Sequence, residues 1–281
     1  MKIASFRDAN RSSWGVVLGD VVFDAGAGTG APDLKSWLAS GGTWAELERA
    51  AAGGTATVRL ADVDLLPPIP NPDRILCVGV NYEEHRKETG RAPSAHPTIF
   101  TRFASTLAAH GEALLLPRVS SQLDFEGELA VVVGAPGRYL DEATALACVA
   151  GYSCFDDGSV RDFQTHASQF TPGKNFPRTG GFGPWLVTPD EVGDVRDLSL
   201  VTRVSGVEMQ RARVGDMTFG IARLLAYVSS FTPLSPGDVI ATGTPSGVGW
   251  KRSPPRWLVD GDLVEVTIDR VGTLANVVRA E

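Results

Sequence analysis

QLDFEGELAVVV, residues Gln122–Val133, predicts a long strand that carries two carboxylates. Glu126 and Glu128 are two residues apart, so on a strand both side chains point to the same face. Ala130 and Val132 continue that face, which indicates that the carboxylates are at least partly buried. Two such carboxylates cannot cheaply stay ionised side by side, and a hard divalent cation, which prefers oxygen ligands, resolves the conflict. The alternative from this segment alone is an exposed strand edge with scattered acids.

The segments around this strand indicate a core rich in strands, with few helices, so we expect a mixed, β-rich α+β fold. The most regular helical spacing of apolar residues lies at Met217–Phe231. The other predicted elements are a hairpin at Trp14–Val22, short helices at Asp33–Leu38, Thr43–Ala52, Glu83–Thr89 and Leu140–Ala147, strands at 75–82, 151–157 and 236–244, and a closing hairpin at 261–278.

A proline-rich segment divides the chain. Pro67–Arg74, PPIPNPDR, has four prolines in eight residues and is typical of a linker. We therefore place a domain boundary near residue 70. Residues 1–70 are predicted to form a small N-terminal α+β domain, and residues 71–281 the catalytic domain.

Composition limits the possible partners. The 281 residues suffice for one large domain or for one domain with a small appendage. A net charge of −7 argues against nucleic acid and anionic membranes as binding partners, since both are negatively charged and bind positively charged protein surfaces. Neither a signal peptide nor a membrane-spanning run of about 18 apolar residues is recognisable. The spacing of Cys77, Cys148 and Cys154 matches no zinc site, so we expect them to be reduced thiols in a reducing compartment. The protein is therefore expected to be soluble and cytoplasmic.

Three other segments carry candidate chemistry. Asp156 and Asp157 follow an apolar strand, where acids can complete an oxygen-ligand set, although from this segment alone a capped turn at the start of a helix explains them more simply. Lys174 lies between two prolines in PGKNFP and is either a buried partner of a carboxylate or a solvated lysine. The glycine-rich Gly243–Gly249 lacks the lysine of a phosphate-binding loop and is interpreted as a close backbone approach to a ligand. No Gly-x-Ser-x-Gly motif is present, which argues against an α/β-hydrolase serine mechanism.

Taken together, eight segments resemble the fumarylacetoacetate hydrolase family over roughly residues 70–281. The segments, in chain order, are VGVNYEEHRKE, PTIFTRFASTL, LDFEGELAVVVG, VAGYSCFDDGSVRDFQ, PGKNF, GPWLVTPDE, LSPGDVIATGTPSGVG and GDLVEVTIDRVGTLANVV. The resemblance implies a β-sandwich roll like the C-terminal domain of that family, preceded by a small N-terminal β domain.

The resemblance also implies a metal site. The family's Glu-x-Glu and following Asp bind Mg²⁺ or Mn²⁺, and they correspond here to Glu126, Glu128 and Asp157. Asp157 is chosen over Asp156 because Arg161 lies four residues after the ligand, as in the family pattern.

The resemblance assigns catalytic roles to three further residues. The His-x-x-Glu of the family's mobile lid corresponds to His85 and Glu88, which make a general base and the carboxylate that orients it. The site lysine of the family corresponds to Lys174, which hydrogen-bonds a metal-site carboxylate or donates a proton.

Substrate-binding residues follow in the same way. Arg161 and Gln164 occupy polar positions after the last metal ligand, and Gly243 and Thr244 correspond to the glycine and threonine of an oxyanion-type loop. Arg102 stands where many relatives have lysine, and it either clamps a distal carboxylate or forms a structural salt bridge.

The function implied is that of an enzyme acting on a small 2-oxo acid. We expect metal-dependent hydrolysis of a C–C bond in an acylpyruvate, as in the breakdown of aromatic compounds, because the lid dyad is intact and cationic residues surround the site. The alternatives are an oxaloacetate or 2-oxo-dioate decarboxylase, tautomerase or isomerase and, in another class, a metal-binding protein that is no enzyme. Relatives are usually homodimers, so a homodimer is expected.

Overall fold

The structure is a computed structural model that describes residues 1–9 and 11–281. It confirms a β-rich α+β fold. The strands are β1 (Lys2–Arg7), β2 (Ser12–Leu18), β3 (Val21–Asp24), β4 (Thr57–Arg59), β5 (Asp64–Leu66), β6 (Ile75–Gly79), β7 (Thr98–Arg102), β8 (Leu107–Ala108), β9 (Leu114–Leu116), β10 (Leu123–Asp124), β11 (Gly127–Val133), β12 (Val149–Asp157), β13 (Ser159–Val160), β14 (Gly180–Val187), β15 (Ser199–Val204), β16 (Val207–Arg213), β17 (Val239–Ala241), β18 (Leu263–Ile268) and β19 (Gly272–Ala280). The helices are α1 (Ala25–Thr29), α2 (Leu34–Ala39), α3 (Trp44–Gly53), α4 (Glu83–Glu88), α5 (Arg161–Gln164), α6 (Thr171–Lys174), α7 (Pro189–Val192) and α8 (Ile221–Phe231).

Two large sheets make up the fold. The larger has the order β4-β3-β2-β1-β14-β12-β11-β17-β6-β7, with β5 on β1 and β8 on β14. The smaller has the order β16-β15-β18-β19-β9, and β10 pairs with β13 separately. Because β1 pairs with β14, the larger sheet includes strands from both sides of the proline-rich segment. The division into domains at residues 1–70 and 71–281 stays a prediction.

Strand β11 is buried on both faces. Leu129, Val131 and Val133 join one hydrophobic cluster, which also contains the apolar face of α8. Ala130 and Val132 point the other way, into a cluster shared with the N-terminal helices α2 and α3. A strand covered on both faces is apolar along its whole length. The start of β11, where the predicted carboxylates lie, is thereby held inside the core.

Local sequence explains where the helices form. Thr43 and Glu46 make a capping box at the start of α3, in which each side chain accepts a hydrogen bond from the other residue's backbone N–H. In α8, the buried residues Leu224, Leu225 and Val228 recur at helical spacing and face the core. Among the helices of the described residues, none has the length and apolar character needed to cross a membrane.

Most elements expected from the sequence are present. The hairpins β2–β3 and β18–β19 pair as predicted, β6 and β17 lie within the expected strand segments, and β12 begins two residues before its expected segment. The short helices α2, α3 and α4 are also confirmed. The three cysteines are free and buried, in agreement with the expectation of thiols.

Two helix predictions are wrong in extent. The segment Leu140–Ala147 contains only a 3₁₀ turn at Ala145–Cys148. There the Asp141 side chain accepts hydrogen bonds from the backbone N–H and the hydroxyl of Thr144, so the segment starts with a capped turn that does not continue into an α-helix. The helix expected from Met217 begins only at Ile221, because Met217 is paired with Tyr82 in a β-bridge.

Candidate active site

Neighbouring strands bring three carboxylates together at the ends of β11 and β12. Glu126 directly precedes β11, Glu128 lies within it, and Asp157 is the last residue of β12. The two strands are antiparallel partners, with Gly127 opposite Asp156. One carboxylate oxygen of each of the three residues lies within 4.8 Å of the others. We call Glu126, Glu128 and Asp157 the acidic triad, and all three are buried.

Asp157, and not Asp156, belongs to this cluster. Successive side chains of a strand point to opposite faces, so only one of the two aspartates can join the triad. Asp156 Oδ1 accepts a hydrogen bond from the backbone N–H of Glu126 at 2.8 Å. Burial raises the pKa of Asp156 to about 7. Asp156 therefore fixes the backbone that carries the triad.

Lys174 and Arg161 compensate part of the negative charge. Lys174 Nζ donates to Glu126 Oε2 at 2.8 Å and to Asp157 Oδ2 at 2.6 Å, and Arg161 Nη1 lies 2.6 Å from Glu126 Oε1. Burial alone raises the pKa of Glu126, but Lys174, Arg161 and His85 outweigh it and lower that pKa to about 2. Glu126 is therefore held as a carboxylate.

Glu128 has no ion-pair partner within residues 1–9 and 11–281. It accepts one hydrogen bond, from the backbone N–H of Gly243 at 2.8 Å. Burial raises its pKa well above the ordinary value, and the charges of Asp157 and Glu126 raise it further. A divalent cation among the three carboxylates would supply the missing positive charge and would match the all-oxygen donor set. The residues present thus fit a hard divalent metal ion.

A cavity of about 330 Å³ reaches the triad at Glu126. Its walls combine charged, polar and aromatic side chains. They include His85, Arg91, Phe100, Glu126, Arg161, Gln164, Phe170, Lys174 and Thr244. The predicted residues His85, Arg161, Gln164, Lys174 and Thr244 therefore meet at one cavity.

His85 and Glu88 form a dyad on α4. They are three residues apart on one side of the helix, and His85 Nδ1 lies 2.9 Å from Glu88 Oε2. Glu88 Oε1 accepts a hydrogen bond from the backbone N–H of Gly247 at 2.9 Å. His85 is only 5% exposed. Because Nδ1 is occupied by Glu88, Nε2 is the nitrogen left to act on a substrate in the cavity.

Gly243 and Thr244 support the triad from a neighbouring loop. Gly243 donates its backbone N–H to Glu128, and Thr244 Oγ1 donates to the carbonyl oxygen of Gly127 at 3.0 Å. Gly243 has φ +102°, and a Cβ there would lie 2.6 Å from Asn81 Cβ. The close backbone approach expected at this loop is therefore to Asn81. A direct role of either residue toward substrate stays a prediction.

Arg102 lies behind the triad and does not line the cavity. Its side chain has no exposed surface. Nη1 donates to Asp157 Oδ1 at 2.7 Å and to the Gly158 carbonyl oxygen at 2.9 Å, and Nη2 donates to Thr179 Oγ1 at 2.8 Å. Of the two alternatives given for Arg102, the structure shows the structural salt bridge.

The sequence did not reveal two residues that position the side chains and backbone of the site. Asp124, fully buried, accepts hydrogen bonds from Arg161 Nε and from the backbone N–H of Gly249, both at 2.8 Å. Arg161 in turn donates from Nη1 to Gln164 Oε1 at 2.9 Å. Asp124 is two residues before Glu126, so the same alternation that indicates the metal ligands could have found it.

The second is Gln210, which lies on the other large sheet. Its Oε1 accepts from the backbone N–H of Gly127 at 2.9 Å, and its Nε2 donates to Thr244 Oγ1 at 2.8 Å. Nothing in the local sequence around Gln210 indicates this long-range contact.

Comparison with known proteins agrees with this geometry. A family model described as the fumarylacetoacetate (FAA) hydrolase C-terminal domain matches residues 74–279. A mitochondrial oxaloacetate tautomerase of Bos taurus is 39% identical over 236 residues, which cover 83% of this chain and 75% of that protein. An oxaloacetate tautomerase of Bacillus subtilis is 40% identical over 227 residues, covering 79% of this chain and 75% of that protein.

Solved structures resemble the whole chain. A fumarylacetoacetate hydrolase from Exiguobacterium antarcticum superposes with a TM-score of 0.88 at 35% identity and covers 100% of both chains. A maleylpyruvate hydrolase from Sphingobium sp. SYK-6, in complex with a manganese(II) ion and pyruvate, has a TM-score of 0.84 at 31% identity, covering 100% of this chain and 99% of that one.

Proposed function

Because the chain belongs to the fumarylacetoacetate hydrolase family, we propose that it interconverts the enol and keto forms of oxaloacetate or a closely similar 2-oxo dioate. The observation that carries the proposal is that two proton-carrying side chains, His85 and Lys174, line the same cavity as Glu126 of the acidic triad. Relatives that are 39–40% identical to this chain over 227–236 aligned residues are oxaloacetate tautomerases, which favours this reaction over others of the family.

We propose one Mg²⁺ or Mn²⁺ on the acidic triad. The donor set supports it, as does the similar maleylpyruvate hydrolase solved with manganese(II) and pyruvate. When bound, such an ion stabilises the negative charge that develops on the 2-oxo oxygen of the substrate.

The side chains of this protein move the protons. The enol-to-keto conversion removes a proton from the enol oxygen and adds one at C3, while the C=C bond becomes single and a C=O bond forms. Glu88 holds His85 through Nδ1, so Nε2 is available as one proton carrier. Lys174, anchored by Glu126 and Asp157, is the second. The reaction consumes no water and releases no fragment.

Acylpyruvate hydrolysis is the second candidate, and the His85–Glu88 dyad favours it. A histidine oriented by a carboxylate can deprotonate water, which then attacks the acyl carbon. The C–C bond between the acyl carbon and C3 breaks, and C3 takes up the proton that the histidine removed from water, giving a carboxylic acid and pyruvate. The similarity to maleylpyruvate hydrolase over the whole chain supports this candidate.

One pair of assays on the same Mn²⁺-loaded protein separates the candidates. The first follows the enol absorbance of oxaloacetate, and the second follows pyruvate release from oxaloacetate and from maleylpyruvate. Accelerated loss of the enol without pyruvate is the result we expect. Pyruvate from maleylpyruvate would identify an acylpyruvate hydrolase, and pyruvate from oxaloacetate a decarboxylase. If the protein binds the metal but accelerates neither reaction, the remaining alternative is a metal-binding protein without enzymatic activity.

The expected homodimer and cytoplasmic location are part of the same proposal. The first rests on the family's usual assembly, and size-exclusion chromatography with light scattering tests it. Cell fractionation of the source cells tests the second.

A further inference from the structure

Three cationic side chains line the catalytic cavity, and one of them has no compensating carboxylate. Arg161 is paired with Asp124 and Glu126, and Lys174 with two carboxylates of the triad. Arg91 has no carboxylate within ion-pair distance in the part of the chain that the structure describes. The positive charge available to an anionic ligand in this cavity is therefore that of Arg91.

The backbone of Arg91 is held firmly in place. Gly90, with φ +68°, ends α4 in a Schellman motif. The N–H of Gly90 donates to the Lys87 carbonyl oxygen, and the N–H of Arg91 to the Arg86 carbonyl oxygen, both at 3.1 Å. Arg86 Nη1 also donates to the Arg91 carbonyl oxygen. Arg91 thus follows directly on the helix that carries the His85–Glu88 dyad, and its position is coupled to it.

An aromatic wall joins Arg91 to the triad. The Arg91 guanidinium carbon lies 4.9 Å from the Phe170 ring centroid, and the Phe170 and Phe100 rings meet edge to face at 5.5 Å. Lys174 Nζ lies 5.2 Å from the Phe100 centroid. The cavity wall thus begins at Arg91 and ends at the lysine bound to the triad. The stacked guanidinium keeps its N–H edge available to a ligand.

We propose that Arg91 is the specificity-determining residue that binds the distal carboxylate of a 2-oxo dioate of four or more carbons. This inference rests on the proposed function, in which the 2-oxo acid end of the substrate lies at the triad. Guanidinium and carboxylate match in geometry and can form two parallel hydrogen bonds. The neighbouring Arg86 is already used in this way by Glu83, with two hydrogen bonds of 2.8 Å.

A matched pair of substrates tests the role of Arg91. Oxaloacetate and its 4-ethyl ester share the 2-oxo acid end and differ in the distal charge. In Arg91→Gln we expect KM for oxaloacetate to rise roughly tenfold, the loss of one charge-assisted interaction, with little change in kcat. KM for the ester should stay within about twofold of wild type, since no distal carboxylate is present to lose its partner. In Arg91→Lys, KM for oxaloacetate should lie between the values of Arg91→Gln and wild type, because lysine keeps the positive charge but cannot form two parallel hydrogen bonds with a carboxylate.

Binding without turnover supplies a second readout. Calorimetric titration of the Mg²⁺-loaded protein compares 2-oxoglutarate with 2-oxovalerate, two acids of equal chain length of which only the first has a distal carboxylate. Arg91→Gln should weaken 2-oxoglutarate about tenfold and leave 2-oxovalerate unchanged. Arg138→Gln is the matched control, because Arg138 is also an exposed arginine stacked on an aromatic ring, 3.8 Å from the Tyr139 centroid, and it does not line the cavity.

The outcomes distinguish this inference from the proposed function. Equal losses for dioate and monoacid in Arg91→Gln, or no loss for either, would overturn the role of Arg91 even in an active enzyme. A wild-type protein that binds both acids equally would overturn it too. If wild type converts neither oxaloacetate nor its ester, yet prefers 2-oxoglutarate in an Arg91-dependent way, the proposed reaction fails and the inference stands.

Discussion

Lys174 donates a hydrogen bond from Nζ to Asp157 Oδ2 at 2.6 Å, and the two side chains are only 1% and 0% exposed. Burial lowers the pKa of Lys174, but Asp157 and Glu126 outweigh it and raise that pKa above the ordinary value. The lysine is therefore held as an ammonium. The buried ammonium of Lys174 thus partly neutralises two of the three carboxylates that we assign to the metal.

Replacing this lysine tests its proposed part in proton transfer. Lys174→Met should reduce kcat by about 10²–10⁴-fold, the usual effect of losing a positioned acid or base. Mn²⁺ affinity should not fall, because the change removes a positive charge beside the ligands. Steady-state kinetics and calorimetric Mn²⁺ titration measure the two effects. Lys251→Met, at an exposed lysine over the Trp250 ring, is the control. An unchanged kcat in folded Lys174→Met would make the role of Lys174 structural.

The dyad on α4 gives a graded prediction. His85→Ala should lower tautomerisation or acylpyruvate cleavage by about 10²–10⁴-fold, because the proton carrier is lost. Glu88→Gln should act more mildly, since Glu88 only orients and polarises the histidine. Any oxaloacetate decarboxylation should largely survive both changes, because it needs no attacking water.

The rates of tautomerisation, acylpyruvate cleavage and oxaloacetate decarboxylation, measured for each variant at saturating Mn²⁺, check these expected effects. Glu84→Gln, on the same helix but exposed and paired with Lys87, should leave every rate unchanged. Near-normal tautomerisation and cleavage in His85→Ala would show that the assigned mechanism is wrong.

Arg102 should matter for stability more than for substrate affinity. Removing one partner of a buried ion pair leaves the other charge uncompensated and costs about 3–5 kcal/mol. Arg102→Met should therefore lower the free energy of unfolding by that order, and saturating Mn²⁺ should restore part of it by neutralising Asp157. Denaturant titration with and without the metal measures both effects. Arg196→Met, at an exposed ion pair with Asp194, should leave the unfolding midpoint unchanged. A large rise in KM without loss of stability would favour the distal clamp instead.

The sequence predicts much of this site because its ligands follow strand periodicity. Glu126 and Glu128 share a face by simple alternation, and the same rule separates Asp156 from Asp157. The choice of Asp157, however, depended on the resemblance to a family and not on periodicity. The spacing of three residues placed His85 and Glu88 on one face of a short helix, but their role as a dyad came from the resemblance to the family.

What the sequence did not predict depends on contacts between distant segments. Gln210 reaches the triad from another sheet, and Arg102 could not be assigned until its partners on β12 were known. Local patterns contain no information on such partners.

The metal dependence of oxaloacetate enol-to-keto conversion tests the central claim most directly. The measurement is the rate of enol loss by exhaustively demetallated wild type and by Glu128→Gln, each during titration with Mn²⁺. We expect the demetallated wild type to show only the uncatalysed rate and to regain full activity saturably, because the triad needs the cation. Glu128→Gln, with one charged ligand fewer, should need much more Mn²⁺ or stay inactive. Full activity of the demetallated wild type would contradict the account.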